Sequence, residues 1–121
     1  MNGEQARAFL VEMYDAVCAV GADKAVIDRF FTDDFVQIVD ETEVRRPEFD
    51  EHLATLRADF CDMSFEFTTV IAEGDRVADV HIFRASRVDG GGRVAMKFIG
   101  VYVLRDGKIA RFEELSRLVE G

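Results

Sequence analysis

Apolar residues recur at helical spacing through Ala6, Phe9, Leu10, Met13, Val17 and Val20, which predicts a first helix that Gly21 stops. Asp23 is placed to cap a second helix from Lys24 to about Phe31, burying Val26, Ile27, Phe30 and Phe31. Thr32-Asp33-Asp34 breaks that run, and Phe35 to Val39 alternates as a strand. After a polar loop, Pro47 opens a third helix, with Glu48, Asp50 and Glu51 near the positive end of its dipole. Phe49, Leu53, Leu56 and Phe60 form its expected buried stripe. Met63 to Ala72 alternates as a strand, Glu73-Gly74-Asp75 turns, and Arg76 to Arg87 is a further strand before a loop from Val88 to Arg93. From Val94 to Leu118 two long strands meet at Asp106-Gly107, a turn whose central residues tolerate positive φ.

A two-residue turn at Asp106-Gly107 fixes an expected register. Val103 faces Ala110, Val101 faces Phe112, Ile99 faces Glu114 and Lys97 faces Ser116. Lys97 then lies diagonal to Glu114, roughly 7–8 Å away between backbones, which suits a salt bridge. The opposite side carries Phe98, Gly100, Tyr102 and Leu104 with Ile109 and Leu115, a second apolar face suited to a partner subunit. For the preceding pair of strands, a three-residue loop places Ala85 opposite Lys97 and His81 opposite Val101. A two-residue turn at Gly90-Gly91 would instead set Arg84 against Lys97, a like-charge contact. With the longer loop, Asp79 and Phe83 share the face of His81 and Glu114, and Ala78, Val80 and Ile82 take the other.

Composition narrows the function classes. The 121 residues suit a single domain, and 49% hydrophobic content with eleven phenylalanines supplies a core. A net charge of −9 spread along the chain excludes the basic footprint of a nucleic-acid binder and disfavours anionic membranes. The start, Met1-Asn2-Gly3-Glu4-Gln5, lacks a basic region followed by an apolar run, so a soluble cytoplasmic protein is expected. Cys18 and Cys61 read as thiols rather than as a metal or disulfide pair. His81, His52, Asp79 and Glu114 match no zinc spacing, so neither a metal nor a cofactor is expected.

The order helix, helix, strand, helix and then antiparallel strands indicates an α+β fold in which three helices pack on a strongly curved, mainly antiparallel sheet. Helices at the rim of a bent sheet leave its centre open, so a cone with an apolar pocket is expected. At this point the chain resembles the nuclear transport factor 2-like superfamily of ketosteroid isomerases, limonene epoxide hydrolases and polyketide cyclases. The resemblance rests on Phe30-Phe31-Thr32-Asp33-Asp34-Phe35, Arg46-Pro47-Glu48-Phe49, Glu73-Gly74-Asp75-Arg76-Val77 and the run from Arg105 to Glu114, in that order along almost the whole chain. It implies a fold that hosts enzymes, binders and assembly modules. It also implies a role for Tyr14, similar in position to the first-helix oxyanion donor of the isomerases. Val39 stands where those enzymes carry an aspartate base, with Asp40 one residue later on the opposite strand face. The arginine and two aspartates of the epoxide hydrolases correspond to His81, Phe83 and Glu114, of which Glu114 keeps the charge type.

Glu114, His81 and Tyr14 are thus the candidate catalytic residues. A carboxylate among Ile99, Val101, Phe112 and Leu118 is costly unless paired, and Lys97 or His81 would pair it. Lys97, Gln37, Val39, His52, Phe83, Val101, Phe112 and Ser116 are the candidate ligand-binding residues. Each has a structural alternative: a satisfied core histidine, a half-buried tyrosine, an internal salt bridge. Three classes remain open: an enzyme acting on a hydrophobic small molecule through a carboxylate–histidine acid/base pair, a non-catalytic binder of such a molecule, and a homodimeric assembly module joined through its outer sheet face.

Overall fold

The chain of the computed structural model, described for residues 1–119, runs α1 (Gly3–Val17), α2 (Lys24–Phe30), β1 (Phe31–Val39), β2 (Thr42–Arg45), α3 (Glu48–Asp59), β3 (Phe60–Glu73), β4 (Arg76–Arg87), β5 (Arg93–Arg105) and β6 (Lys108–Leu118). Three helices pack against one six-stranded sheet of order β2-β1-β6-β5-β4-β3, the expected α+β architecture. The β1–β6 pair is parallel and the other four pairs are antiparallel.

Local chemistry explains where the helices start and stop. Asn2 and Gln5 form a reciprocal cap on α1, each side chain accepting from the other's backbone N–H at 2.8 and 2.9 Å. The helix ends at Val17, earlier than its apolar periodicity suggests. The Arg57 guanidinium donates to the Val17 carbonyl at 2.7 Å and so satisfies the helix end there. Val20, expected in the buried stripe, is 99% exposed. Asp23 caps α2 through Val26 N–H at 3.2 Å, as its position predicts. Phe60 is the first residue of β3 rather than the last of the helical stripe.

One strand was hidden from the sequence. β2 pairs with β1 through a turn at Asp40 and Glu41, both at positive φ (46° and 75°). Such turns are normally announced by glycine or asparagine, and neither stands here. Asp40 is held instead by Ser116, which donates to it from N–H at 3.0 Å and from Oγ at 2.6 Å. On the other side of β1, the rings of Phe31, Phe35 and Phe49 meet at centroid distances of 4.7–4.8 Å and lock α3 onto the sheet.

The register of β5 departs from expectation on both sides. The hairpin at Asp106-Gly107 begins as expected, with Arg105 opposite Lys108. Ala110 is then bulged out, so Val103 pairs with Arg111 and Tyr102 with Phe112. A slip of one residue exchanges the faces of a strand. Phe98, Gly100 and Tyr102 therefore turn inward with Phe112 and Glu114, while Lys97, Ile99 and Val101 turn outward. Between β4 and β5 the loop is longer than either alternative. Ser86 pairs with Arg93, and Arg87 N–H donates to the Gly92 carbonyl at 2.8 Å. His81 consequently faces Phe98 rather than Val101. Both slips are odd, so β5 is inverted but β4 and β6 keep their relation, and His81 still shares a face with Glu114. The outer apolar face consists of Ile71, Ile99, Val101 and Leu115, not Phe98, Tyr102 and Ile109.

Candidate functional site

A cavity of about 360 Å³ lies between α1, α3 and the inner face of the sheet. Its walls are side chains such as Met13, Val17, Leu53, Leu56, Phe65 and Met96. Into this apolar volume project Tyr14 from α1, Gln37 from β1, His81 and Arg87 from β4, Tyr102 from β5 and Glu114 from β6.

Successive rungs of the sheet bring the polar groups together. Asp79, Gly100 and Glu114 occupy one rung across β4, β5 and β6. The Phe112 ring fills the space that a side chain at position 100 would need: a Cβ there would sit 2.6 Å from Phe112 Cε1 and 2.6 Å from the Glu113 carbonyl. On the neighbouring rung Tyr102 stacks on Phe112, centroids 3.9 Å apart and planes 6° apart. The Tyr102 hydroxyl meets that of Tyr14 at 2.6 Å. Tyr14 in turn stacks on Phe65 at 4.8 Å, which fixes the hydroxyl pair against the sheet.

His81 is held by Asp79 two residues before it, on the same face of β4, with Nδ1 to Oδ2 at 2.7 Å. Both side chains are buried, and the imidazole lies parallel to Phe98 at 5.1 Å. A carboxylate at Nδ1 favours the tautomer that leaves the Nε2 lone pair free, which makes His81 an acceptor of protons. The other Asp79 oxygen, Oδ1, is buried without a hydrogen-bond partner among the described residues.

Glu114 is 6% exposed and its ordinary acidity is lost. Burial, then the charges of Asp79 and Asp40, push its pKa up to about 8, against a weaker opposing hydrogen bond from Gln37 Nε2 at 3.3 Å. At neutral pH it is mostly a neutral carboxylic acid able to donate a proton. Tyr14 and Tyr102 are raised well above the usual phenol value, chiefly by burial and then by neighbouring acids or by each other. Both hydroxyls therefore remain donors.

Of the residues expected at the site, Glu114, His81, Tyr14, Gln37, Phe83 and Phe112 line the cavity. Lys97 and Val101 do not: the Ala110 bulge turns them to the outer face, so the expected Lys97–Glu114 salt bridge is replaced by the Gln37 hydrogen bond. Val101 is 41% exposed. Val39 pairs with Glu114 along β1 but lies outside the cavity lining, and Ser116 is committed to Asp40. His52 sits on the exposed side of α3, 3.9 Å from Glu48 one turn before it, away from the cavity. Asp79, Tyr102 and Arg87 are polar residues that sequence reasoning left out of the site. Asp79 was marked by its alternation with His81, and Tyr102 was concealed by the bulge.

A family model of the SnoaL-like domain matches residues 10–112. The chain belongs to the SnoaL-like domain family. This family lies within the nuclear transport factor 2-like superfamily that the sequence resembles. The SnoaL-like chain is 27% identical over 118 residues to an uncharacterised protein of Schizosaccharomyces pombe, covering 98% of this chain and 90% of the relative. Among solved structures it is similar to AclR of Streptomyces galilaeus, a candidate hydroxylase, with a TM-score of 0.75 and 22% identity over 97% of this chain and 76% of that one. IdmH of Streptomyces antibioticus, a candidate polyketide cyclase, gives 0.74 and 19% over 93% and 91%. An LEH-like epoxide hydrolase of M. tuberculosis gives 0.67 and 18% over 95% and 81%. At these identities the structural likeness of the SnoaL-like domain to its neighbours is one of fold. Among the described residues no helix is long and apolar enough to cross a membrane.

Proposed function

We propose that this SnoaL-like domain binds a hydrophobic small molecule in the cavity and moves a proton on it. The observation that carries the reading is Glu114: a carboxyl buried in an apolar cavity, with its pKa pushed to about 8, beside a buried Asp79–His81 pair. Structural salt bridges depress the pKa of a carboxylate, whereas this environment raises it, the direction a general acid needs at neutral pH. Glu114 donates a proton, His81 oriented by Asp79 accepts one, and the Tyr14–Tyr102 hydroxyl pair stabilises negative charge developing on the substrate. The cavity volume falls within the range of small-molecule sites.

The test is hydrogen–deuterium exchange of the α-protons of indanone in deuterated buffer, with and without protein. Catalysed exchange that disappears in Glu114→Gln, with the fold intact by circular dichroism, supports proton transfer. Stabilisation by the ketone without any exchange leaves a binder and discards the acid/base role.

The outer sheet face supports a second reading, a homodimer. Ile71, Ile99, Val101 and Leu115 are 60%, 54%, 41% and 64% exposed and line one shallow recess. A contiguous apolar patch of this kind is a typical mark of an interface. Sedimentation velocity decides it: a dimer that Leu115→Glu converts to a monomer supports the reading, and a wild-type monomer removes it.

A further inference from the structure

The cavity has one arginine, and it stands at the end away from Glu114. Arg87 follows His81 by six residues along β4, about 20 Å of strand. Its guanidinium lies over the Phe60 ring, 5.3 Å from the centroid, where it lines the cavity mouth. Its stem is packed under the β4–β5 loop so closely that a Cβ on Gly91 would sit 2.8 Å from Arg87 Cδ. That loop is itself braced by Gly91 N–H donating to Asp89 Oδ1 at 2.8 Å. Among the described residues the exposed Arg87 side chain thus meets the Phe60 ring and the loop backbone at Gly91 rather than an acid.

Other arginines of the chain are taken up by carboxylates: Arg84 by Glu66 at 2.8 Å, Arg105 by Asp34 at 2.5 Å, Arg46 by Asp28 and Asp50. Among the described residues none pairs with Arg87, although the chain carries 24 acids and a net charge of −9. Arg93 flanks the adjoining recess beside Arg87 and donates to Ser86 Oγ at 2.7 Å rather than to an acid, a second cation at this end of an acidic protein. The opposite end of the cavity offers uncharged donors next to Asp79, a place that favours a neutral reacting group and repels an anion.

We propose that Arg87 reads the anionic end of the ligand, and that the ligand is an amphipathic monocarboxylic acid. Its apolar body fills the cavity towards Glu114 and its carboxylate meets Arg87. The assignment rests on the reading of the cavity as a ligand site. A single guanidinium presents one planar fork, which matches one carboxylate. A polyanion would find no second cation inside the cavity and would face the acidic surface outside.

Calorimetric titration with two probes of equal shape, naphthoate and the neutral naphthylmethanol, tests the assignment in wild type and in Arg87→Gln. The expected result is at least tenfold tighter binding of the acid by wild type, about 1.4 kcal/mol, with the acid-to-alcohol ratio collapsing towards unity in the variant. Equal affinities in wild type, or a preference that survives in Arg87→Gln, overturn the role of Arg87 while leaving the cavity reading in place, because the alcohol still binds. Failure of both probes to bind wild type overturns both readings.

Discussion

Asp79 on β4 and Glu114 on β6 are two buried acids on one rung of the sheet, with only Gly100 between them. Burial works against ionisation of Glu114, and the charge of Asp79 adds to the effect. The outcome is unequal: Asp79 is bound to an imidazole, while Glu114 retains its proton into the neutral range.

That retained proton couples stability to pH. Glu114 has a folded pKa of about 8 against an ordinary 4.5, so the native state holds a proton that the unfolded chain releases. The stabilisation is complete below about pH 4.5 and is lost as pH rises through about 8, at up to about 1.4 kcal/mol per pH unit. Urea unfolding of wild type and Glu114→Gln across this window should show the difference in stability tilting towards the variant as pH rises. A difference independent of pH would mean that Glu114 is ionised in the fold.

Gly100→Ala should destabilise the protein by about 1–3 kcal/mol, the usual cost of overpacking. The added Cβ would sit 2.6 Å from a backbone carbonyl and 2.6 Å from the Phe112 ring, and the ring is sandwiched against Tyr102. Denaturant midpoints measure the loss, and Tyr102 fluorescence should change with it.

Tyr14→Phe and Tyr102→Phe should each cost about 1–3 kcal/mol, because each leaves the other hydroxyl buried without its 2.6 Å partner. The double variant removes both polar groups and should cost much less than the sum. A double-mutant cycle reads the coupling directly, and strict additivity would show that the two hydroxyls do not depend on each other.

Asp79→Asn should change the histidine tautomer. With the carboxylate present, Nδ1–H is fixed at 2.7 Å; with an amide, either ring nitrogen is acceptable. Imidazole ¹⁵N shifts of neutral His81 should report one tautomer in wild type and a mixture in the variant.

Arg46→Met should cost about 1–3 kcal/mol, as expected when charge-assisted hydrogen bonds of a half-buried ion cluster are removed. The guanidinium, 7% exposed, donates through Nη2 to Asp28 at 2.6 Å and to Asp50 at 2.9 Å, tying α2 to the start of α3. Thermal denaturation provides the check, and a loss below about 1 kcal/mol would place the pair among weak surface bridges.

Helix positions, the Asp23 cap and the turn at Asp106-Gly107 were legible in the sequence because each depends on residues within a few positions of one another. Which side chains share a face within β4, and within β6, was legible for the same reason: alternation along Asp79, His81 and Phe83, or along Phe112 and Glu114, is a property of one strand, whereas the facing of His81 towards Glu114 depended on the β4–β5 loop. The β1–β2 turn was not, since Asp40 and Glu41 adopt positive φ only with the help of Ser116, 76 residues away.

The sequence alone therefore determined the α+β fold and which side chains of each strand share a face. Only the tertiary structure decided which face of β5 joins the cavity. A ladder absorbs one extra residue at Ala110 and a longer loop at Val88 to Gly91 with little local signal, yet each odd slip exchanges inside for outside. Burial makes the choice: the inverted strand encloses Tyr102 and leaves Lys97 outside, because a phenol with a hydroxyl partner is cheaper to bury than an ammonium without one.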